Sequence, residues 1–265
     1  MHDTVDYPQG PRLEIFRAPD ASIVIQYDVW MFRLAPGEQQ IAFCTTAEPV
    51  RTCLDLVFER VVVPLYVLFA EPSILGLHGS AVAIDERGWI FIGESGAGKS
   101  TTAHALLAQG ATFLADDMTL VDVANGTIRP GSPSIRLWKQ SSEVQGALYD
   151  CLVSDQTTKR WFRLDDSLGA PAPIELAGIV WLTPTADAAQ DGAWTPCRPR
   201  DGLVALLRQT FDFTSPERAW MTQRFQNAAQ LLGRNTLFRY QYKRSDDGLP
   251  SHVERLVRVL RESTS

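Results

Sequence analysis

A glycine-rich segment fits the pattern G-x-x-x-x-G-K-[ST] in full: Gly93-Glu94-Ser95-Gly96-Ala97-Gly98-Lys99-Ser100. Glycines let backbone N–H groups approach a phosphate closely, and the N-terminus of a following helix adds partial positive charge. Lys99 is placed to reach the β- and γ-phosphates, and Ser100 offers a hydroxyl to Mg²⁺. With Thr101, which follows, these residues are the candidates for nucleotide binding. The segment therefore predicts a site for Mg-ATP.

Two adjacent carboxylates, Asp116 and Asp117, follow a short apolar run beyond that segment. In enzymes with this type of loop, an acidic residue at such a position holds Mg²⁺, and a second can accept a proton from an attacking hydroxyl. A strand-end turn is the alternative interpretation. Ser100 and Asp117 are the candidate metal ligands, and either aspartate could be the base. His78, taken alone, is typical of a histidine at the rim of a core.

Four basic residues could neutralise a transferred phosphoryl group: Arg136, Lys139, Lys159 and Arg160. Plain surface charge is the alternative for each of them. We take Arg136 and Lys159 as the candidates for phosphate or substrate binding.

The surrounding elements fit an α/β unit. Residues 79–85 and 89–92 predict strands, residues 100–108 a helix that ends before Gly110, and residues 111–115 another strand. This β-loop-α-β order is that of a mononucleotide-binding fold.

The rest of the chain predicts further elements around this unit. Residues 1–50 predict β-structure, and residues 51–70 one helix that Pro64 could kink. Residues 142–169 indicate a loop-rich or mobile region. Strands are expected over 175–183 and 237–242, and helices over 200–209, 216–232 and 251–261.

Composition narrows the class of protein. The chain has 265 residues and a net charge of −6, with a pI near 5.3. A mildly acidic balance argues against nucleic-acid binding, and four cysteines without a C-x-x-C pair argue against structural zinc or disulfides. The most apolar stretch, residues 61–70, is half the length that a bilayer requires, and no signal peptide is visible. We expect a cytoplasmic protein without a membrane partner.

Three segments together resemble one family: residues 77–82, 93–101 and 113–117. They are similar to the C-terminal catalytic domain of HPr kinase/phosphorylase, the bacterial serine kinase of the phosphocarrier HPr. Residues 130–138 and 159–162 resemble the wider set of HPr-kinase-like proteins. The resemblance covers residues 75–245. It implies a P-loop core related to phosphoenolpyruvate carboxykinase (residues 75–265), preceded by a β-rich lobe plus helix (residues 1–74).

The resemblance also implies roles for individual residues. Lys99 and the loop glycines would bind the triphosphate of ATP, Ser100 would bind Mg²⁺, and Ser95 would lie near the γ-phosphate. His78 and the two aspartates would line the site where the acceptor hydroxyl attacks. The catalytic candidates are therefore His78, Lys99, Asp116 and Asp117.

The implied activity is transfer of a phosphoryl group from ATP to a serine of a peptide or protein. The first 75 residues do not resemble the regulatory domain of full HPr kinases, and the glycine-rich signature that follows the aspartate strand in them is absent. These differences argue against HPr as acceptor and against phosphorolysis. Some short relatives phosphorylate the C-terminal serine of a lasso-peptide precursor, which is the specific expectation here. A small-molecule kinase, a non-catalytic nucleotide-binding regulator and a homo-oligomer stay open.

Overall fold

The structure is a computed structural model that describes residues 2–5, 13–20, 22–27, 29–35, 40–46, 51–138, 147–148, 159–211, 218–243 and 249–263. The chain starts with a five-stranded antiparallel sheet in sequential order, as the β-rich prediction for residues 1–50 required. Its strands are β1 (His2–Val5), β2 (Leu13–Arg17), β3 (Ile23–Tyr27), β4 (Trp30–Leu34) and β5 (Ile41–Thr45).

A continuous helical segment follows, with a wider turn in its middle. It consists of α1 (Arg51–Val57), a π-helical turn (Phe58–Val62) and α2 (Val63–Ala70). Pro64 has no N–H to donate to the carbonyl one α-turn earlier, and a π turn directly before it suits that missing bond. The expected single helix is thus present, but the sequence did not reveal that its irregularity would be a π turn.

A nine-stranded sheet forms the centre of the remaining chain. Seven strands run in the order β6-β10-β11-β15-β8-β7-β9, while β17 pairs with β15 and β16 pairs with β17. Only the pairs β8–β15 and β15–β17 are parallel among the pairings described. The strands are β6 (Ile74–Leu77), β7 (Ser80–Ile84), β8 (Arg87–Ile92), β9 (Thr112–Ala115), β10 (Thr119–Asp122), β11 (Thr127–Arg129), β15 (Ile174–Thr185), β16 (Trp194–Pro196) and β17 (Leu237–Lys243).

Helices cover both faces of this sheet. The helices are α3 (Lys99–Leu107), α4 (Pro199–Arg208), α5 (Arg218–Arg234) and α6 (Leu249–Glu262). Leu106 of α3 and Leu256 of α6 share one apolar cluster, whereas Leu206 of α4 and Leu231 of α5 belong to the cluster on the other face. The α/β class is confirmed, and each helix lies within two residues of its predicted bounds. The relation of the core to phosphoenolpyruvate carboxykinase stays a prediction.

A small sheet occupies part of the region expected to be loop-rich. It contains β12 (Ser134–Trp138), β13 (Ala147–Leu148) and β14 (Lys159–Arg163), in the order β12-β14-β13. Strand β14 was missed because its partner lies far back in the chain and polar residues flank both strands. Residues 142–146 and 149–158 of the predicted loop lie outside the described residues.

The N-terminal lobe packs directly on the central sheet. Ile25 and Leu65 share an apolar cluster with Ile74 of β6 and Leu120 of β10. The boundary near residue 74 stays a prediction, because this core is continuous across it. Within the described ranges, every helix is too short or too polar to span a bilayer.

Candidate active site

The glycine-rich loop predicted to bind phosphate, called the phosphate loop below, joins the end of β8 to the start of α3. Two of its glycines are required by their surroundings. Gly93 has φ +152° and Gly98 has φ +78°. A Cβ at Gly93 would lie 2.8 Å from the Leu182 carbonyl oxygen, and one at Gly98 would lie 2.9 Å from Tyr242 Oη. Both the backbone angle and the space therefore exclude larger residues. The loop is a tight cradle of the type that accommodates a phosphate chain.

Two side chains hold the loop from inside the fold. Lys99 is 8% exposed, and its Nζ donates to the carbonyl oxygens of Gly93 at 2.8 Å and Glu94 at 3.4 Å. Tyr242 Oη donates to the carbonyl oxygen of Ala97 at 2.7 Å. The lysine ammonium thus lies under the loop, and a phosphate entering the cradle would meet its charge there.

An aromatic stack supports Tyr242 from behind. The His252 ring of α6 lies 4.3 Å from the Tyr242 ring and 5.0 Å from the Tyr240 ring. His252 is 3% exposed, and burial, helped by the positive charge of Arg255, lowers the pKa of its imidazole to about 4. A neutral imidazole therefore packs behind the loop at neutral pH.

The loop borders an open cleft of about 450 Å³, a volume that includes its solvent-open part. The cleft brings together loop residues, the aspartate pair and residues from two neighbouring segments. Its lining consists of His78, Ser80, Ser95, Gly96, Gly98, Lys99, Ser100, Thr101, Asp116, Asp117 and Arg136.

Asp116 is a buried carboxylate whose two oxygens both accept hydrogen bonds. Ser80 Oγ donates to Oδ1 at 2.6 Å, and the backbone N–H of Arg136 donates to Oδ2 at 2.9 Å. The side chain of Asp116 is 0% exposed, and the Arg60 guanidinium lies 3.9 Å from Oδ2. The chain itself therefore fixes the position of this carboxylate.

Asp117 faces the solvent side of the cleft. Its backbone is left-handed, with φ +71°, and its side chain is 41% exposed. His78 Nδ1 lies 3.4 Å from Asp117 Oδ1 and 3.1 Å from the Asp117 carbonyl oxygen. The left-handed turn separates the two aspartates, so that neighbouring carboxylates enter different environments. Asp117 is consequently the more accessible of the two to an incoming ligand.

The structure brings most of the candidate residues to one place. Within the loop, Gly93 and Ala97 are buried and Glu94 is exposed. Arg136 lines the cleft, whereas the described part of Lys159 is its backbone in β14, opposite Trp138. Lys139 lies outside the described residues.

Four residues of the site escaped the sequence analysis: Ser80, Arg60, Trp161 and Tyr242. Ser80 lies within a family-like segment and could have been found there. Trp161, whose ring lies 3.9 Å from the Arg60 guanidinium carbon, belongs to the family-like segment 159–162 and could also have been found. Arg60 and Tyr242 contact the site through long-range packing, for which the sequence carries no local signal.

The donor set fits Mg²⁺ bound together with ATP. Among the described residues, no group of three or more histidine, cysteine or acidic side chains could hold a metal ion. Mg²⁺ is usually held by one or two protein oxygens while substrate phosphates and waters complete its shell. Ser100 and Asp117, which line the same cleft, are suited to that arrangement.

Comparison with known proteins finds a family match for the part of the chain that contains most of this cleft. Residues 71–146 match the family model of the HPr Serine kinase C-terminal domain. The chain is HPr-kinase-like. A solved structure of the Hpr(Ser) kinase/phosphatase from Coxiella burnetii is also similar, with 14% identity and a TM-score of 0.36 over 71% of this chain and 90% of that one. A search of curated protein sequences finds no match.

The matched stretch of this HPr-kinase-like chain contains most of the site. It includes His78, the phosphate loop, the aspartate pair and Arg136, but ends before Lys159. The family match suggests kinase activity. The five-stranded N-terminal sheet and α1 lie outside the match.

Proposed function

We propose that this protein is an ATP-dependent kinase that phosphorylates a hydroxyl group on a peptide or protein. The observation that carries the proposal is the cleft in which Lys99 and the phosphate loop face Asp117 and His78. A nucleotide-binding switch has no need of a carboxylate and an imidazole beside the phosphates. This pairing favours catalysis over a purely regulatory role.

In this proposal the phosphate loop and Lys99 bind the triphosphate. Of the two candidate metal ligands, Ser100 holds Mg²⁺ together with the phosphates, and Asp117 serves as the proton acceptor. Bound Mg²⁺ would offset negative charge on the phosphoryl group during transfer. Lys99 adds positive charge from beneath the loop, and Arg136, which lines the same cleft, adds a second positive charge. Positioning and charge neutralisation supply most of the rate enhancement in phosphoryl transfer.

The acceptor hydroxyl would enter between the loop and His78. Its oxygen forms a bond to the γ-phosphorus while the bond from that phosphorus to the bridging oxygen of ADP breaks. The hydroxyl proton passes to a carboxylate of the aspartate pair, and we assign it to Asp117 because Asp116 already accepts two hydrogen bonds. His78 orients Asp117 through the 3.4 Å contact.

The similarity of residues 71–146 to a serine kinase domain favours a serine hydroxyl as the acceptor. The specific substrate that we propose is the C-terminal serine of a lasso-peptide precursor. HPr, a small molecule and the absence of any acceptor are the competing outcomes.

Mass spectrometry of acceptor peptides after incubation with Mg-ATP tests the proposal. The acceptors are a precursor peptide ending in serine, the same peptide ending in alanine, and HPr. Wild type is compared with Lys99→Met and with Lys243→Met, a matched variant at an exposed lysine away from the cleft.

A gain of one phosphoryl group on the serine peptide alone, lost in Lys99→Met and kept in Lys243→Met, supports a peptide kinase. Phosphorylated HPr would redirect the assignment to an HPr(Ser) kinase. Tight ATP binding without any phosphorylated acceptor would refute the peptide-kinase proposal in favour of a regulator or a small-molecule kinase.

A further inference from the structure

Arg60, in the π turn between α1 and α2, reaches from the N-terminal helix into the core of the site. Its side chain is 6% exposed. One terminal nitrogen donates to Ser134 Oγ at 2.7 Å and also to the Ser134 carbonyl oxygen. The other donates to the Asp116 carbonyl oxygen at 2.9 Å. A single guanidinium thus bonds two segments that are separate in the chain.

Those two segments are neighbouring walls of the cleft, joined by a direct hydrogen bond. Asp116 directly follows the last residue of β9 and precedes Asp117. Ser134 begins β12, two residues before Arg136, whose side chain lines the cleft. The Arg136 N–H donates to Asp116 Oδ2 across the same junction. Arg60 therefore reinforces the contact that sets the distance between the aspartate pair and Arg136.

The environment of Arg60 is built for a buried cation. Its guanidinium carbon lies 3.9 Å from the centroid of the Trp161 ring, and its terminal nitrogen lies 3.9 Å from Asp116 Oδ2. Burying a guanidinium is costly unless such partners replace its water shell. The planar fork of arginine matches acceptors on two sides, which a lysine ammonium cannot do with the same geometry.

A second contact from the same turn supports this arrangement. Ser132 Oγ donates to Glu59 Oε2 at 2.7 Å. Consecutive residues of the π turn therefore both bond the 132–134 segment. Single π turns occur often at functional sites, because the extra residue redirects side chains that a regular helix would point elsewhere.

We propose that Arg60 is a positioning residue that makes the N-terminal lobe an integral part of the phosphotransfer site. It fixes the aspartate pair relative to Arg136 and the phosphate loop without touching substrate. The expected fall in kcat rests on the proposed kinase function. The expected faster exchange over residues 132–138 does not depend on that function.

The experiment compares Arg60→Met, Arg60→Lys and Arg33→Met in the full chain. Arg33 lies in β4 of the same lobe and forms an exposed ion pair with Asp20, so its replacement controls for loss of an N-terminal arginine. Amide hydrogen exchange is followed over residues 132–138 and, as internal reference, over residues 199–208 of α4. Turnover and the KM for ATP are measured on the serine peptide.

In Arg60→Met we expect exchange over 132–138 to rise at least about tenfold, with exchange over 199–208 unchanged. We expect kcat to fall about 30-fold or more while the KM for ATP changes less than about threefold, since the phosphate loop is intact. Arg60→Lys should restore little of the turnover, because one ammonium cannot bridge both walls. Arg33→Met should resemble wild type in every measurement.

Two outcomes would overturn the proposal. A wild-type kcat in Arg60→Met would refute the positioning role. Equally faster exchange over both segments would show that Arg60 stabilises the fold as a whole and not this junction in particular. If wild type phosphorylates no acceptor, the proposed function fails, yet the exchange measurement still decides whether Arg60 holds the two walls together.

Discussion

Replacing each aspartate of the pair by asparagine should separate a structural carboxylate from a reactive one. The substitution conserves shape, removes the charge and replaces one acceptor oxygen by an NH₂ donor. Asp116 is buried with two donors directed at it, whereas the side chain of Asp117 is 41% exposed. We therefore expect Asp116→Asn to destabilise the fold, and Asp117→Asn to leave stability nearly unchanged while it abolishes phosphoryl transfer.

The magnitude follows from the contacts of Asp116. A hydrogen bond to a charged group contributes about 1.5–3 kcal/mol to stability. Asparagine keeps one acceptor oxygen, so either the Ser80 hydroxyl or the Arg136 N–H would face an amide NH₂ instead. The buried Arg60 also loses its nearby negative charge. Together these losses predict a decrease of about 2–4 kcal/mol in the free energy of unfolding, or a fall in Tm of roughly 5–10 °C.

Asp117→Asn should cost less than about 1 kcal/mol, because asparagine tolerates a left-handed backbone and the side chain stays partly solvated. Asp85→Asn is the matched control. Asp85 also has a left-handed backbone, with φ +50°, and its exposed side chain pairs with Arg261. That variant should keep both wild-type Tm and wild-type turnover.

The assay combines calorimetric unfolding with phosphorylation of the serine peptide, at a temperature where all variants are folded. Equal destabilisation by Asp116→Asn and Asp117→Asn would refute the division of roles drawn from burial. Full turnover in Asp117→Asn would refute its assignment as the proton acceptor.

Three further predictions concern the phosphate loop and its support. Lys99→Met should weaken ATP binding at least about tenfold with the fold retained, which titration with a fluorescent ATP analogue would check; unchanged affinity would contradict the role of the lysine. Tyr242→Phe removes the bond to the Ala97 carbonyl and should raise the Kd for ATP about tenfold, whereas Gly98→Ala, which adds a clash with Tyr242 Oη to a strained backbone, should raise it further. His252 has a folded pKa of about 4, below its unfolded value near 6.5, so the unfolded state binds more protons between these values and stability falls as pH is lowered. The expected loss between pH 7.5 and pH 5 is at most about 2 kcal/mol in urea unfolding, and a His252→Phe variant that retains the same pH dependence would show that another group causes it.

The sequence was most informative where function depends on consecutive residues. Backbone angles in a phosphate loop are local properties, so the glycine spacing located the loop between β8 and α3. The helices were predictable for the same reason, because apolar periodicity is local. Strand β14 was not predictable, since its pairing with β12 is long-range and no local sequence pattern near Lys159–Arg163 indicates a partner strand.

The roles within the aspartate pair depend on packing, which the sequence could not supply. By sequence alone, Asp116 and Asp117 are equivalent carboxylates after an apolar strand. The tertiary structure buries one against Ser80 and Arg136 and leaves the other beside His78. Burial decides which carboxylate has free access to a ligand, and burial arises only when distant strands assemble.

The sequence by itself determined the groups on which the proposed chemistry depends: a glycine-rich loop, a lysine beneath it and carboxylates beside it. Only the tertiary structure decided how that chemistry is held in place. Arg60 contacts Asp116 across 56 positions of the chain, and Tyr242 contacts Ala97 across 145. Such contacts leave no periodic or spacing signal, because they depend on which strands pair and which helix packs over them.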